Sequence, residues 1–118
     1  MNIEQSIANN ENLLVKLSGE MDAQGCVTIR SELERIIEQL NTHILIDLSE
    51  VSFIDSSGIG AIVFLFKRLK QQNRSLELMG VQGQPQELMK LLRMDSAITI
   101  QYTSEQDTSE QEEMQCAL

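Results

Sequence analysis

Short apolar runs bounded by turn residues predict five β-strands along the chain. They fall at residues 3–7, 13–17, 44–48, 76–79 and 98–100, and polar, Gly or Asn positions separate each run from the next element. The run at 44–48 is almost continuously apolar, which is typical of a central strand covered on both faces. The run at 3–7 is weak, and the run at 98–100 predicts a short edge strand.

Apolar residues that recur at steps of three and four predict the helices between these strands. The first helix follows Asp22, a favoured N-cap residue, and its stripe is Cys26, Ile29, Leu33, Ile36 or Ile37, and Leu40. The second runs from about 57 to 72, with Ile59, Ile62, Val63, Phe66 and Leu69 on its buried face. The third begins at Pro85, a favoured first helical residue, and its apolar side is Leu88, Leu91 and Leu92.

The alternation of strands and helices predicts an α/β layer with a mixed sheet of four to five strands and about four helices. The chain has 118 residues, which is the size of one domain. We place that domain at residues 1–103 and an acidic tail at 104–118. Apolar residues are sparse in the tail, so it is predicted to form at most a frayed or weakly docked fourth helix.

The acidic charge of the chain limits the kinds of partner that it is expected to bind. The net charge is -9, and residues 104–118 contribute five acidic residues and no Lys or Arg to it. Phosphate binding needs clustered Lys and Arg, so neither nucleic acid nor an anionic membrane is an expected partner. A regulator that passes between protein partners fits this acidity better.

Cysteine usage and the apolar runs predict a cytoplasmic protein. Cys26 and Cys116 are far apart in sequence and match no metal-ligand spacing, so we expect two reduced thiols and no metal or cofactor. The N-terminus shows neither the basic start nor the apolar run of a signal peptide. The longest apolar stretch, residues 59–66, is too short to span a bilayer.

The motifs of most enzyme classes are missing from the sequence. There is no Walker-type phosphate loop, and the two glycines Gly58 and Gly60 lack the third glycine of a dinucleotide fingerprint. His43 is the only histidine, which leaves a Ser-His-Asp triad little support; it is expected to be a surface or edge residue. A receiver-type phosphorylated Asp55 stays open, with Glu20 and Asp22 as its only nearby acidic pair. We therefore expect a protein that is not an enzyme.

Residues 51–60 join a predicted strand to a predicted helix at two adjacent hydroxyls, Ser56 and Ser57. Such a junction directs backbone N–H groups and the positive helix end at one spot, which favours an anion. Serines placed there are candidates for phosphorylation. The alternative is that the run from Asp55 to Gly58 only caps the helix, since Asp and Ser are favoured caps.

The segment HILIDLSEVSFIDSSGIG at residues 43–60, with LSGEMD at 17–22, resembles the STAS family, best known from bacterial anti-sigma-factor antagonists. The resemblance covers roughly residues 3–102 and implies a single STAS domain. It implies that Ser56, directly after the aspartate, is phosphorylated by a partner serine kinase. It also implies that Asp22 shares a partner-binding surface with Asp55, Ser56, Ser57 and Gly58.

The same resemblance implies how the switch works. The unphosphorylated protein would bind its partner, often the same kinase acting as an anti-sigma factor. Phosphorylation would release the partner, and a PP2C-type phosphatase would reset the switch. Ser57 serves as the comparison position, expected to cap the helix and to affect stability rather than switching. The chain as a whole, including the run MDAQG at 21–25, is also similar to SypA-type biofilm regulators of vibrios, which implies control of biofilm or stress-type gene expression.

STAS domains also occur as constitutive subunits of lipid-transport ABC complexes and at the cytoplasmic ends of sulfate transporters. The first of these is the alternative function, because such subunits carry a similar Asp-hydroxyl-Gly turn. Neighbouring genes for a permease and an ATPase would favour it, and genes for a serine kinase or phosphatase would favour the switch. The acidic tail is not part of the family pattern.

Overall fold

The computed structural model describes residues 1–7 and 11–103, which form a five-stranded sheet with helices packed against it. The strands are β1 (Asn2–Ile7), β2 (Asn12–Met21), β3 (His43–Ile54), β4 (Ser75–Val81) and β5 (Thr99–Tyr102). The helices are α1 (Ala23–Glu38), α2 (Ser56–Gln71) and α3 (Gly83–Leu91), followed by a 3-10 turn at Met94–Ser96. The predicted fourth helix, at 104–118, lies outside the described residues.

The sheet is mixed, as predicted. Its order is β1-β2-β3-β4-β5, with β1 antiparallel to β2 and the other neighbouring pairs parallel. The crossovers from β2 to β3 and from β3 to β4 carry α1 and α2, and right-handed crossovers that advance in one direction put both helices on one face. The two helices also contact each other. The carboxyl ends of β2, β3, β4 and β5 therefore share one edge of the sheet.

One face of the sheet carries the core. Along the strands, alternate apolar side chains are almost completely buried beneath the helices, among them Val15, Ile44, Ile46 and Leu78. The opposite side of β3 carries Leu45 and Asp47, and both are only partly buried. The expectation that this strand is covered on both faces is therefore wrong for the described part of the chain.

Strand β3 extends six residues beyond the predicted run, as far as Ile54. Its buried residues change spacing from two to three at Leu48, Val51 and Ile54, which hides the strand from a search for alternation. Register shifts in the pairing with β2, between Lys16 and Ser18 and between Gly19 and Glu20, accompany this change. Irregularities of this kind locally alter which way a strand presents its side chains.

Three apolar residues assigned to helix stripes are exposed instead. Leu40 is 94% exposed because α1 ends at Glu38, and Leu91 and Leu92 are 78% and 50% exposed at the end of α3. Met89 supplies the buried contact of α3, together with Pro85, which is the third rather than the first helical residue. In α2, the buried Leu65 was missed, whereas Ile59, Val63 and Phe66 only flank the core.

The loop after α2 is bonded to the end of α1, at the edge of the sheet opposite the helix N-termini. The Arg74 guanidinium donates to the carbonyls of Ile36 and Ile37, at 2.9 and 2.8 Å, and to that of Asn41. The Ile36 and Ile37 carbonyls belong to the last turn of α1, where helices leave acceptors without intrahelical partners. Partial burial lowers the pKa of Arg74, although arginine stays charged at any physiological pH. No helix in the described residues is both long and apolar enough to cross a membrane.

Tyr102 gives the fold a specific dependence on alkaline pH. Its hydroxyl is buried with no hydrogen-bond partner among the described residues, and the Lys90 ammonium lies 4.9 Å from the ring centroid. Burial, with a smaller contribution from the Asp95 charge, raises the pKa of Tyr102 to about 12. An unfolded tyrosine ionises near pH 10, so this stabilising contribution is complete below about pH 10 and is lost as the pH rises towards 12.

We predict that Tyr102→Phe leaves the free energy of unfolding at pH 7 within about 1 kcal/mol of wild type, since the lost hydroxyl has no partner in the described part of the chain. Between pH 10 and 12 the wild-type protein should lose about 1–2 kcal/mol more than the variant. Urea denaturation at several pH values measures both quantities. If the wild-type protein and Tyr102→Phe lose the same free energy of unfolding between pH 10 and 12, Tyr102 does not titrate in this way.

Candidate functional site

The two aspartates singled out by the sequence follow neighbouring strands. Met21 at the end of β2 pairs with Ile54 at the end of β3, so Asp22 and Asp55 come next to each other at the same edge of the sheet. The Asp55 backbone N–H continues the contact by donating to the Met21 carbonyl at 3.3 Å. The structure thus brings the short motif at 17–22 and the long motif at 43–60 together.

Each aspartate caps the helix that follows it. Asp22 Oδ1 accepts from the Gly25 N–H at 2.8 Å, and Asp55 Oδ1 accepts from the Ser57 and Gly58 N–H groups at 2.8 and 3.3 Å. The prediction that Asp22 is an N-cap is confirmed. The prediction that Ser57 caps α2 is wrong, because Asp55 holds that position and Ser57 contributes its backbone N–H.

Both caps share the pattern Asp-x-x-Gly, and both glycines are packed against strand ends. A Cβ added to Gly25 would lie 2.1 Å from the Glu20 carbonyl oxygen. One added to Gly58 would lie 2.6 Å from the Met21 carbonyl oxygen and 2.5 Å from Ile54 Cγ1. Only glycine allows α1 and α2 to start this close to the end of β2, so each glycine sets the position of its aspartate.

Ser56 and Ser57 have different surroundings. Ser56 is the first residue of α2 and is exposed, whereas Ser57 is partly buried and faces α1. The start of α2 has fewer backbone donors available for an anion than the sequence indicated. Two N–H groups of its first turn already donate to Asp55. A new anion on Ser56 would therefore lie beside a carboxylate instead of a set of free donors.

Sequence reasoning missed the groove that opens next to these caps. We call it the α1–α2 groove; it has a volume of about 640 Å³ and is lined by Ala23, Cys26, Val27, Arg30, Leu33 and Glu34 of α1 and by Ser57, Gly60, Ala61 and Phe64 of α2. Val27 and Phe64 are 67% and 47% exposed on it. The sequence did contain a signal for this groove. It consists of apolar residues that recur at helical spacing but lie outside the buried stripe of their helix.

Cys26 lies at the end of the groove nearest the caps. Partial burial raises the pKa of its thiol, and the negative charges of Asp55 and Asp22 raise it further. The thiol is therefore kept protonated and less nucleophilic than a free cysteine. Asp22 and Asp55 cap neighbouring helices at the same edge of the sheet, so the surface around Ser56 already carries two negative charges.

His43 begins the central strand β3, so it is not at an edge of the sheet, but its side chain is partly exposed, as expected for a surface residue. Its Nδ1 contacts the Ser75 hydroxyl on β4, and its Nε2 lies 3.5 Å from Glu77 Oε1. Ser75 is exposed on the sheet face, and the three side chains join two adjacent strands on the side away from α1 and α2. We interpret the cluster as cross-strand pairing that supports the sheet.

The described residues contain no group of three or more His, Cys, Asp and Glu side chains that could hold a metal ion. A phosphorylated aspartate of the receiver type needs an acidic metal site, and the Asp55 carboxylate is engaged in capping α2. The receiver interpretation therefore has no support in the part of the chain that the structure describes.

Gly58 and Gly60 form a matched pair for testing the packing of α2. We predict that Gly58→Ala lowers the free energy of unfolding by about 2–3 kcal/mol, because its methyl group overlaps the Met21 carbonyl. Gly60 has open space around its Cβ position, so Gly60→Ala should raise stability by about 0.5–1 kcal/mol through helix propensity. Urea denaturation measures both; equal effects of the two substitutions would contradict the packing argument.

The caps make a separate prediction for Asp55 and Ser57. Asp55→Ala should lower the free energy of unfolding by about 1 kcal/mol, and Asp55→Asn by less, because an amide oxygen can still accept both N–H groups. Ser57→Ala should change it by less than about 0.5 kcal/mol. Thermal denaturation followed by circular dichroism distinguishes the three. A larger loss for Ser57→Ala than for Asp55→Ala would restore Ser57 as the cap.

Comparison with known proteins agrees with this architecture. The STAS domain model matches residues 4–107. The chain is 33% identical over 106 residues to the anti-sigma-B factor antagonist of Bacillus subtilis, covering 89% of this chain and 96% of that protein. The anti-sigma factor antagonist SpoIIAA in its unphosphorylated form superposes with a TM-score of 0.68 at 21% identity, covering 88% and 91% of the two chains. The Bacillus SpoIIAA in its phosphorylated form superposes with a TM-score of 0.69 at 20% identity, covering 88% and 93%. With the two sequence motifs joined at one edge of a mixed sheet and the family model spanning nearly the whole described chain, this protein belongs to the STAS domain family.

Proposed function

We propose that the protein is an anti-sigma-factor antagonist switched by phosphorylation of Ser56. The observation that carries the proposal is the position of Ser56: exposed, first in α2, and beside two carboxylates already paired with helix N-termini. The relative from Bacillus subtilis that matches over most of its length is named an anti-sigma-B factor antagonist. SpoIIAA, which shares the fold, has been solved in unphosphorylated and phosphorylated forms.

In the unphosphorylated form, the surface around Ser56 suits a protein partner. Asp22 and Asp55 have each given one oxygen to backbone donors, which reduces the cost of covering them. Phe53, 40% exposed at the end of β3, and the exposed Val27 and Phe64 add apolar area nearby. Apolar residues with a polar rim are the usual composition of an interface. The partner in this proposal is an anti-sigma factor that is itself a serine kinase.

Phosphorylation would change this surface electrostatically. A phosphate adds about 1.5 to 2 negative charges at neutral pH, and here they would come next to Asp55 and close to Asp22. The Ser57 and Gly58 N–H groups are occupied by Asp55, so they neutralise little of the new charge. Charge placed against acidic groups of a partner costs several kcal/mol, and each ~1.4 kcal/mol is tenfold in affinity.

This chain accepts the phosphate and does not transfer it. A PP2C-type phosphatase would return the protein to its binding form, and the kinase would release it again. Control of biofilm or stress-type gene expression is the process we assign to the switch. A constitutive role in a lipid-transport complex is the competing function, and the experiments on Ser56 distinguish the two.

We predict that Ser56→Ala binds the partner as tightly as unphosphorylated wild type, and that Ser56→Asp binds at least about tenfold more weakly. Mass spectrometry of protein isolated from its host should find one phosphoryl group on Ser56, absent in Ser56→Ala. The partner is then obtained by co-purification with Ser56→Ala, and titration calorimetry measures each affinity.

Ser57→Ala is the matched control, because it removes the neighbouring hydroxyl and keeps the cap. It should retain the phosphate, and because Ser57 lies on the same predicted binding surface its partner affinity should be compared with that of Ser56→Asp, which should be much weaker. Equal partner affinity for Ser56→Ala and Ser56→Asp would rule out an electrostatic switch at this residue. Absence of phosphate in every growth condition, with stable co-purification of a permease and an ATPase, would replace the proposal by the transport-subunit function.

A further inference from the structure

The α1–α2 groove is an apolar surface flanked by cations. Val27 and Phe64 stand on its two sides, and Arg30 lines it. The Arg68 guanidinium lies 5.5 Å from the Phe64 ring centroid, and Lys67 precedes it on α2. Within the described residues, none of these three cations forms an ion pair. Among the described side chains that line the groove, Glu34 is the one acidic group.

The chain itself contains a segment with the complementary composition. Residues 105–113 carry five acidic side chains and no Lys or Arg, and residues 114–118 add Met114, Cys116, Ala117 and Leu118. An acidic stretch followed by apolar residues matches a groove that has cations on its flank and apolar walls. A basic or wholly polar segment would not.

The described chain ends on the side of the sheet where this segment can reach the groove. Thr103 donates its backbone N–H to the Val81 carbonyl at 2.9 Å, so the chain leaves the sheet at its carboxyl edge, next to the helix N-termini. From β5 to β3 the sheet spans about 10 Å, and the 16 residues of α2 are about 24 Å long. Ten residues of extended chain, from 104 to 113, span up to about 33 Å.

We propose that residues 104–118 dock on their own domain, with residues 114–118 in the α1–α2 groove and the acidic run along Arg30, Lys67 and Arg68. The acidic run then stays away from Asp22 and Asp55, which would repel it. The docked segment covers the side of the groove that adjoins Ser56 and therefore competes with any protein bound there. The docking itself requires neither a phosphate on Ser56 nor a bound protein, so it can be tested without a partner.

Cys26 reports on the contact, because its thiol lies in the groove. The test uses full-length protein carrying Cys116→Ala, a small apolar replacement that leaves Cys26 as the only thiol. The rate of Cys26 alkylation by iodoacetamide is measured by mass spectrometry at fixed pH. We expect the further pair Met114→Ser and Leu118→Ser to raise this rate at least about fivefold, equivalent to about 1 kcal/mol of docking free energy.

A second variant tests the charge complementarity. Arg68→Glu and Lys67→Glu together should raise the Cys26 rate in the same direction, whereas Arg93→Glu, distant on the turn after α3, should leave it unchanged. The rate should not depend on protein concentration, because the segment belongs to the same chain. Unchanged alkylation in both groove-directed variants would overturn the proposal, and so would protection that increases with concentration, which indicates a second copy.

Discussion

The close approach of α2 to the end of β2 is the constraint on which the rest of the site depends. Gly58 lies against the Met21 carbonyl at a distance that leaves no room for a Cβ. That contact brings the first turn of α2 beside the first turn of α1, which is held in the same way by Gly25 against Glu20. Because both helices start close to the end of β2, their two capping aspartates come together, and Ser56 is placed at the surface next to them.

This arrangement determines the electrostatics of the surface before any modification occurs. Two carboxylates at one edge would repel each other, but each lies at the positive end of a helix and accepts backbone hydrogen bonds. The helix N-termini therefore stabilise the two carboxylates that are already present, and they can stabilise little further negative charge. The pKa of Cys26 is raised first by partial burial and then by this same local negative charge. An added phosphate would exceed what the first turn of α2 can neutralise, and its charge would act on whatever lies opposite.

Much of the fold could be predicted from the sequence, because local patterns encode it. The five strands, the three helices and the Asp22 cap follow from apolar spacing and from the residues that favour helix starts. The extension of β3 to Ile54 could not be predicted, since register shifts against β2 change the burial spacing from two to three. The exposure of Leu40 depends on where α1 ends, which tertiary contacts such as those of Arg74 decide. The choice of Asp55 over Ser57 as cap was equally hidden, because both residue types cap helices.

The end of β3 that carries the site is held on both sides, which bears on how a switch could work. On one side it pairs with β2; on the other, beyond the last β4 pair at Met79, the Gln84 side chain replaces a strand. Gln84 Oε1 accepts from the Ile54 N–H and its Nε2 donates to the Ile54 carbonyl, both at 2.9 Å. A side-chain amide that forms both bonds fixes the residue directly before Asp55. The backbone next to Ser56 is therefore held in place by β2, Gln84 and the caps. A modification of Ser56 changes the charge of this surface more readily than it changes the shape of the domain.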